Sequence, residues 1–260
     1  MELNIWTKRY FDENSKIEWP CPYCNTSSLN LNKDKLNHEE TANSKKFRSE
    51  NEDWEIEWIQ LVFNGQLTCK NCGEVVFFTG TGNPEHNGYY DQVSDEYYEE
   101  YTNSFTPTFF QPFIKLFNIP DKCSEELKAE IENSFKLFWC DLPSCANKIR
   151  VSLEILMNEQ GVKKFEIRGG KRVPISLHKR IENYNHSEIK DLLLAIKWIG
   201  NTGSHIGEIE TIDILEAYRL LEFSLNKIYN DEMKELKKIT KEINKRKGTR
   251  KRHYPTKCVS

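Results

Sequence analysis

The spacing of apolar and polar positions changes period once along this 260-residue chain. Over residues 54–63 apolar and polar positions first alternate and then become continuously apolar, which predicts a strand. Asn64-Gly65 predicts a tight hairpin turn, residues 66–69 the returning strand, and Val75-Val76-Phe77-Phe78 the next one. From Ser124 onward the period is helical. Ser124 precedes Leu127, Ile131, Phe135 and Phe138, the spacing of an N-capped amphipathic helix. Residues 145–160 place Ala146, Ile149, Leu153 and Leu156 on one face, and a short helix is expected over 174–184. Ser187 heads a further helix bearing Ile189, Leu192, Leu193, Ile196 and Ile199, and residues 212–245 form a long amphipathic stretch.

Between these segments the composition shifts. Residues 32–53 are rich in Asn, Lys, Glu and Ser and are expected to be a mobile insertion. From Glu74 to Ile114 there are seven acids and no Lys or Arg, so residues 83–120 are expected to be an acidic, Tyr-rich linker followed by an extended connector with buried aromatics. Residues 163–173 are expected to be a basic loop holding Arg168-Gly169-Gly170-Lys171-Arg172. The formal net charge is −3, but residues 231–260 carry eleven basic and four acidic residues, leaving −10 on the first 230. That asymmetry argues against the whole body as a nucleic-acid-binding surface and points to the basic C-terminal run instead. No apolar run follows Met1, and no stretch is long and apolar enough to span a bilayer, so a cytoplasmic protein without a membrane contact is expected.

Eight cysteines in such a chain point to metal rather than disulfides. Cys21-Pro22-Tyr23-Cys24 and Cys69-Lys70-Asn71-Cys72-Gly73 are two Cys-x-x-Cys pairs. A two-residue spacer lets both thiolates of a knuckle face one ion, and glycine after the second pair permits the positive φ of the tight turn. Cys21, Cys24, Cys69 and Cys72 are therefore the expected ligands of one structural zinc ion, its four positions filled by sulfur. A thioredoxin-like redox pair is disfavoured by the presence of two pairs and by the absence of a βαβ pattern. Cys123, Cys140, Cys145 and Cys258 lack ligand spacing, and the first three are expected to be small core residues.

Ile199-Gly200-Asn201-Thr202-Gly203-Ser204-His205 interrupts the helical pattern with two glycines, each unfavourable by up to about 1 kcal/mol inside a helix. Phe117-Asn118-Ile119-Pro120, Ile149-Arg150-Val151-Ser152-Leu153-Glu154 and this turn, taken in order, resemble a widespread bacterial family of unknown function. That family belongs to the HEPN-like helical group and occurs beside, or fused to, restriction and anti-phage systems; an N-terminal pair of Cys-x-x-Cys knuckles is common in it. The resemblance covers residues 105–230 and, with the knuckles, most of the chain.

The resemblance implies a motif of the form Arg-Asn-x-x-x-His, in which Asn201 and His205 match and Gly200 stands at the arginine position. Metal-independent RNA cleavage of this type needs a base near neutrality and a cation for the developing phosphorane charge. The expected catalytic cluster is His205, Asn201, Arg150 and Glu154, with Arg150 as the substitute cation. The competing expectation is an Arg150–Glu154 intrahelical pair, with Asn201 and His205 closing a helix end. Arg168, Lys171, Arg172, Lys197, Arg250, Lys251 and Arg252 are the expected nucleic-acid-binding residues.

Together these readings give an α+β fold, a small β-rich zinc ribbon followed by an all-α HEPN-like helical bundle. Residues 1–82 form the ribbon, 83–120 the linker and connector, 121–245 the helical domain and 246–260 a basic tail. The expected function is a prokaryotic defence protein that binds nucleic acid, RNA first, with metal-independent cleavage left open by the glycine at the motif's arginine position. The alternative is a non-catalytic dimeric adaptor docking a partner enzyme of a defence system. A homodimer is implied by the resemblance in either case.

Overall fold

A sheet forms the first half of the protein and helices the second, an α+β combination. The computed structural model describes residues 3–26, 28–93, 95–202, 209–230 and 232–248, with side chains left aside at 232–235. After a one-turn helix α1 (Asn4–Thr7) come strands β1 (Leu29–Leu31) and β2 (Asn37–Glu40), helix α2 (Ala42–Glu50) and strands β3 (Leu61–Cys69) and β4 (Val75–His86). A small hairpin of β5 (Tyr89–Asp91) and β6 (Glu96–Tyr98) leads to β7 (Tyr101–Gln111). The main sheet is antiparallel. β1 and β2 share one edge of β3, pairing Leu29 with Cys69 and Glu40 with Leu61, and β4 lies between β3 and β7.

Three sequence expectations are corrected here. The strand expected from residue 54 begins only at Leu61, after a short 3-10 turn at Ile56–Trp58. Asn64-Gly65 makes no turn: β3 runs straight through it, with Asn64 opposite Thr79 and Gly65 opposite Phe78. The glycine is there for space, because a Cβ at position 65 would lie 2.7 Å from the Phe78 ring. Residues 32–53 are ordered structure, not a mobile insertion. Thr41 caps α2 by accepting from the Ser44 amide, and buried Ser44 donates to Glu40 while accepting from the Gln60 amide. Polar groups hold this segment together, so its polar composition concealed the fold.

A further correction concerns residues 83–120. Residues 101–111 are not a connector but an eleven-residue strand, paired with β4 from His86↔Tyr101 to Phe77↔Gln111 and bulged at Thr79/Gly80. Phe105 is fully buried among Phe11, Phe63 and His38, and Phe110 stacks on Phe78 at 5.7 Å. Between the two long strands the β5–β6 hairpin is largely exposed, its tyrosines Tyr89, Tyr90, Tyr97 and Tyr98 together with Glu96.

The helical half contains α3 (Glu125–Leu137), α4 (Leu142–Glu159), α5 (Leu177–Glu182), α6 (Ser187–Thr202), α7 (Thr211–Tyr229) and α8 (Glu232–Arg246). Ser124 caps α3 through the Leu127 amide, and Asp141 caps α4 through the Ser144 amide. Helix α4 is central, touching α3, α6 and α7. The Tyr218 hydroxyl of α7 ties these helices together, donating to Ser134 Oγ at 2.8 Å and lying 3.1 Å from Cys145 Sγ. The single stretch expected over 212–245 is broken at Asn230, where ψ leaves the helical range. Residues 163–173 form a hairpin rather than a loop, β8 (Phe165–Arg168) paired with β9 (Lys171–Pro174). Gly169 and Gly170 both take positive φ, 56° and 77°, as a two-residue type I′ turn requires.

One apolar core runs through both halves. Trp139, following α3, meets Trp19 at 5.1 Å and Phe110 at 4.7 Å, and Trp6 packs edge-on against Phe138. Arg9 reaches across the same junction to donate to the Trp139 carbonyl at 2.6 Å. Among the described residues no helix is long and apolar enough to cross a membrane.

Candidate metal centre and motif seam

Two backbone knuckles of the same design bring four sulfurs together. In the first, the Cys21 amide donates to Thr26 O and the Asn25 amide to Cys21 O; in the second, the Cys69 amide donates to Glu74 O and the Gly73 amide to Cys69 O. The left-handed position falls on Asn25 (φ 56°) in one and Gly73 (φ 78°) in the other. A Cβ at Gly73 would meet nothing within 4 Å, so φ alone selects glycine there. The second knuckle is the turn joining β3 to β4, and β1 carries the first alongside it through the Leu29–Cys69 pair.

All four Sγ atoms lie within 4.8 Å of one another, with Cys21–Cys72 at 3.7 Å and Cys24–Cys69 at 3.6 Å. Four sulfurs at about 2.3 Å from a tetrahedral ion are about 3.8 Å apart, so the set fits a metal of that coordination. Without a cation, the thiols compete for protons. The Asn71 side chain and Thr26 hold Cys24 at about 5. Cys72, despite the lowering Glu74 amide, is pushed to about 12 by burial and by its three sulfur neighbours. A dication removes that competition by favouring every thiolate. Sequence reasoning missed the hydroxyls around the sulfurs: Thr26 Oγ1 is 3.0 Å from Cys24 Sγ and Ser28 Oγ is 2.9 Å from Cys69 Sγ. Small hydroxyl residues just after a knuckle were the available signal. Of the other cysteines, Cys123 and Cys145 are buried, while Cys140 is exposed and not part of the core.

The second cluster lies where α4 and α6 meet. Gly200 faces Arg150 so closely that a Cβ on it would stand 2.6 Å from the Arg150 Cβ and 3.1 Å from the Ala146 carbonyl oxygen. Arg150 Nη2 pairs with Glu154 Oε1 at 3.1 Å, one turn along α4. Lys197, one turn before Asn201 on α6, is 9% exposed, and its Nζ lies 3.4 Å from the centre of the Trp198 ring. Burial and then the neighbouring Arg150 charge lower its pKa. Among the described residues no carboxylate lies within ion-pair distance of Lys197. The seam thus holds two adjacent cations and one paired acid, a surplus of positive charge. Asn201 is half-buried at its end. His205 lies outside the described residues, as do Arg250, Lys251 and Arg252.

The remaining predicted binding residues gather on the β8–β9 hairpin. Arg172 lies over the Phe165 ring at 3.9 Å, Arg168 pairs with Glu166 at 2.5 Å, and Lys171 is exposed. With Lys163 and Lys164 the hairpin borders a cleft of about 550 Å³, and Ile167 stands 78% exposed at its edge.

Residues 9–110 match the model of a family described as Domain of unknown function (DUF8608), and residues 132–246 match that of another, Domain of unknown function (DUF4145). The first match takes in both knuckles and the sheet through Phe110, and the second takes in the α4–α6 seam. No curated protein and no solved structure matches the chain.

Proposed function

We propose that this is a HEPN-like prokaryotic defence protein that binds RNA, with one structural zinc ion held by Cys21, Cys24, Cys69 and Cys72. The observation that carries the reading is the surplus of positive charge on the α4–α6 seam, where Arg150 and Lys197 meet beside Gly200. An RNA phosphate complements that charge, and the basic, aromatic-bearing β8–β9 hairpin offers a second contact for backbone and base. In this reading the zinc keeps four sulfur ligands and no open position, so it braces the sheet and takes no part in chemistry. Defence association and homodimerisation through the motif face rest on the family resemblance, and cytoplasmic location on the composition of the chain.

The reading extends to cleavage, with Arg150, whose Cβ is 2.6 Å from where one on Gly200 would stand, as the cation the motif lacks and His205, outside the described residues, as the base. The test is incubation of the purified protein with labelled single-stranded RNA beside His205→Ala and Arg150→Ala variants. Retained binding with cleavage abolished in both variants supports the full reading. Absence of both binding and cleavage at modest salt rejects it in favour of a partner-docking adaptor. That second reading has an observation of its own: Leu236, Ile239 and Ile243 form an exposed apolar stripe on α8.

A further inference from the structure

Away from both clusters, α2 and the 3-10 turn before β3 enclose a cleft of about 560 Å³. Its walls are Phe47 and Trp58, rings 5.9 Å apart at 61°, and both are close to half exposed, at 45% and 48%. Glu57 is the charged residue that lines it; Asn43, Gln60 and Asn83 add polar edges, and no Lys or Arg lines it. Two of the three cations of α2, Lys46 and Arg48, are engaged elsewhere, and Lys45 does not line the cleft. Arg48 pairs with Glu40 at 2.8 Å and lies over Trp54, and Lys46 pairs with Glu50 at 3.8 Å. The acidic character continues beyond the cleft, where Glu57, Glu99 and Glu55 surround the Tyr101 phenol.

Two exposed aromatic faces beside a carboxylate that pairs with no cation among the described residues are the recognition chemistry of a cationic side chain, held by ring quadrupole and charge together. An anion or a nucleic-acid phosphate is repelled by the same carboxylates. We propose that this cleft seats a Lys or Arg head, and that the occupant is the part from Thr249 onward, outside the described residues, of the protein's own basic run Lys245-Arg246-Lys247-Gly248-Thr249-Arg250-Lys251-Arg252, whose first two residues end α8. That run has six cations in eight residues and no acid, against a net −10 on residues 1–230. Being part of the same chain, it is present at high effective concentration. The cleft shares no residue with the β8–β9 hairpin or the α4–α6 seam that carry the RNA reading, but Arg250, Lys251 and Arg252 are also expected to contact nucleic acid, so the two ligands are tested apart.

The test uses a fluorescein-labelled peptide of residues 245–252, followed by anisotropy without RNA. It is titrated into the wild type and into a full-length variant whose Lys245, Arg246, Lys247, Arg250, Lys251 and Arg252 are all Gln. The neutralised chain, its cleft vacant, is expected to bind the peptide about tenfold more tightly than the wild type. In that background Trp58→Ala and Glu57→Gln are each expected to weaken binding about tenfold, and about 0.5 M salt to weaken it further. Both side chains are exposed, so folding is retained; unchanged melting temperatures verify this. Equal affinity for the two chains, or binding indifferent to both substitutions, overturns the proposal. Loss of RNA binding with peptide binding intact counts against the function proposed above and leaves this inference standing.

Discussion

Gly200 and Arg150 are in backbone-close contact, with room for no β-carbon between α6 and α4. Adding one methyl there sets overpacking, about 1–3 kcal/mol, against the helix preference of alanine, about 1 kcal/mol. Overpacking wins, because the opposing atoms include the Ala146 carbonyl, which cannot rotate away. Gly200→Ala is therefore expected to lower the melting temperature by roughly 2–4 °C. A rise on thermal scanning would show that the two helices can separate at no cost. Gly200→Arg, which installs the arginine of the motif that the resemblance implies, is expected to destabilise further and to gain no activity.

The four sulfurs predict a stoichiometry. The purified protein should carry one zinc ion, measured by elemental analysis, and Cys21→Ser should lose it because three thiolates no longer close the tetrahedron. Tightly bound zinc surviving in that variant would contradict the assignment. Ser28→Ala, which removes a hydroxyl 2.9 Å from Cys69 Sγ, should retain the ion but release it to a chelator about tenfold faster.

Asp141 makes stability depend on pH in a known direction. Its hydrogen bonds to the Ser144 side chain and amide hold the folded pKa below the unfolded 3.8. Its contribution is therefore complete above the unfolded value and disappears as pH falls through the folded one. Asp141→Ala should cost about 1 kcal/mol in urea unfolding at pH 7 and progressively less toward pH 3. A penalty constant over that range would show that the carboxylate charge is irrelevant to the cap.

On the β8–β9 hairpin, Lys171→Glu with Arg172→Glu should weaken RNA binding evenly across sequences. It should also reduce the slope of log K against log salt by roughly one for each phosphate that is no longer neutralised. An unchanged slope would remove the hairpin from the RNA interface.

What could be read from the sequence depended on how local its cause was. The knuckles were legible because two-residue spacing and a following glycine are complete within five residues, and Ser124 was legible because a cap and its apolar positions share one helical turn. Gly65 was misread because the reason for it, the Phe78 ring, lies on the neighbouring strand. The β7 strand was hidden by acidic neighbours belonging to the β5–β6 hairpin, although Phe105 and Phe110 are core residues. At the motif, the residue types marked the place. The meaning of Gly200 as a contact point for Arg150 required the packing of α4 on α6.

The Trp19–Trp139 contact couples the two halves energetically as well as spatially. Sheet and helices share one core, so a metal ion gripped by the knuckles is a ligand of the entire native state, and its binding energy adds to the resistance of the bundle to unfolding. Free metal at a hundred times its dissociation constant contributes about 2.7 kcal/mol by mass action. Chelation should accordingly lower the melting of helices that contribute no ligand, with far-ultraviolet ellipticity and tryptophan emission moving in a single transition. With the knuckles loaded, metal supply would set the stability of the whole protein, including the seam on the helices.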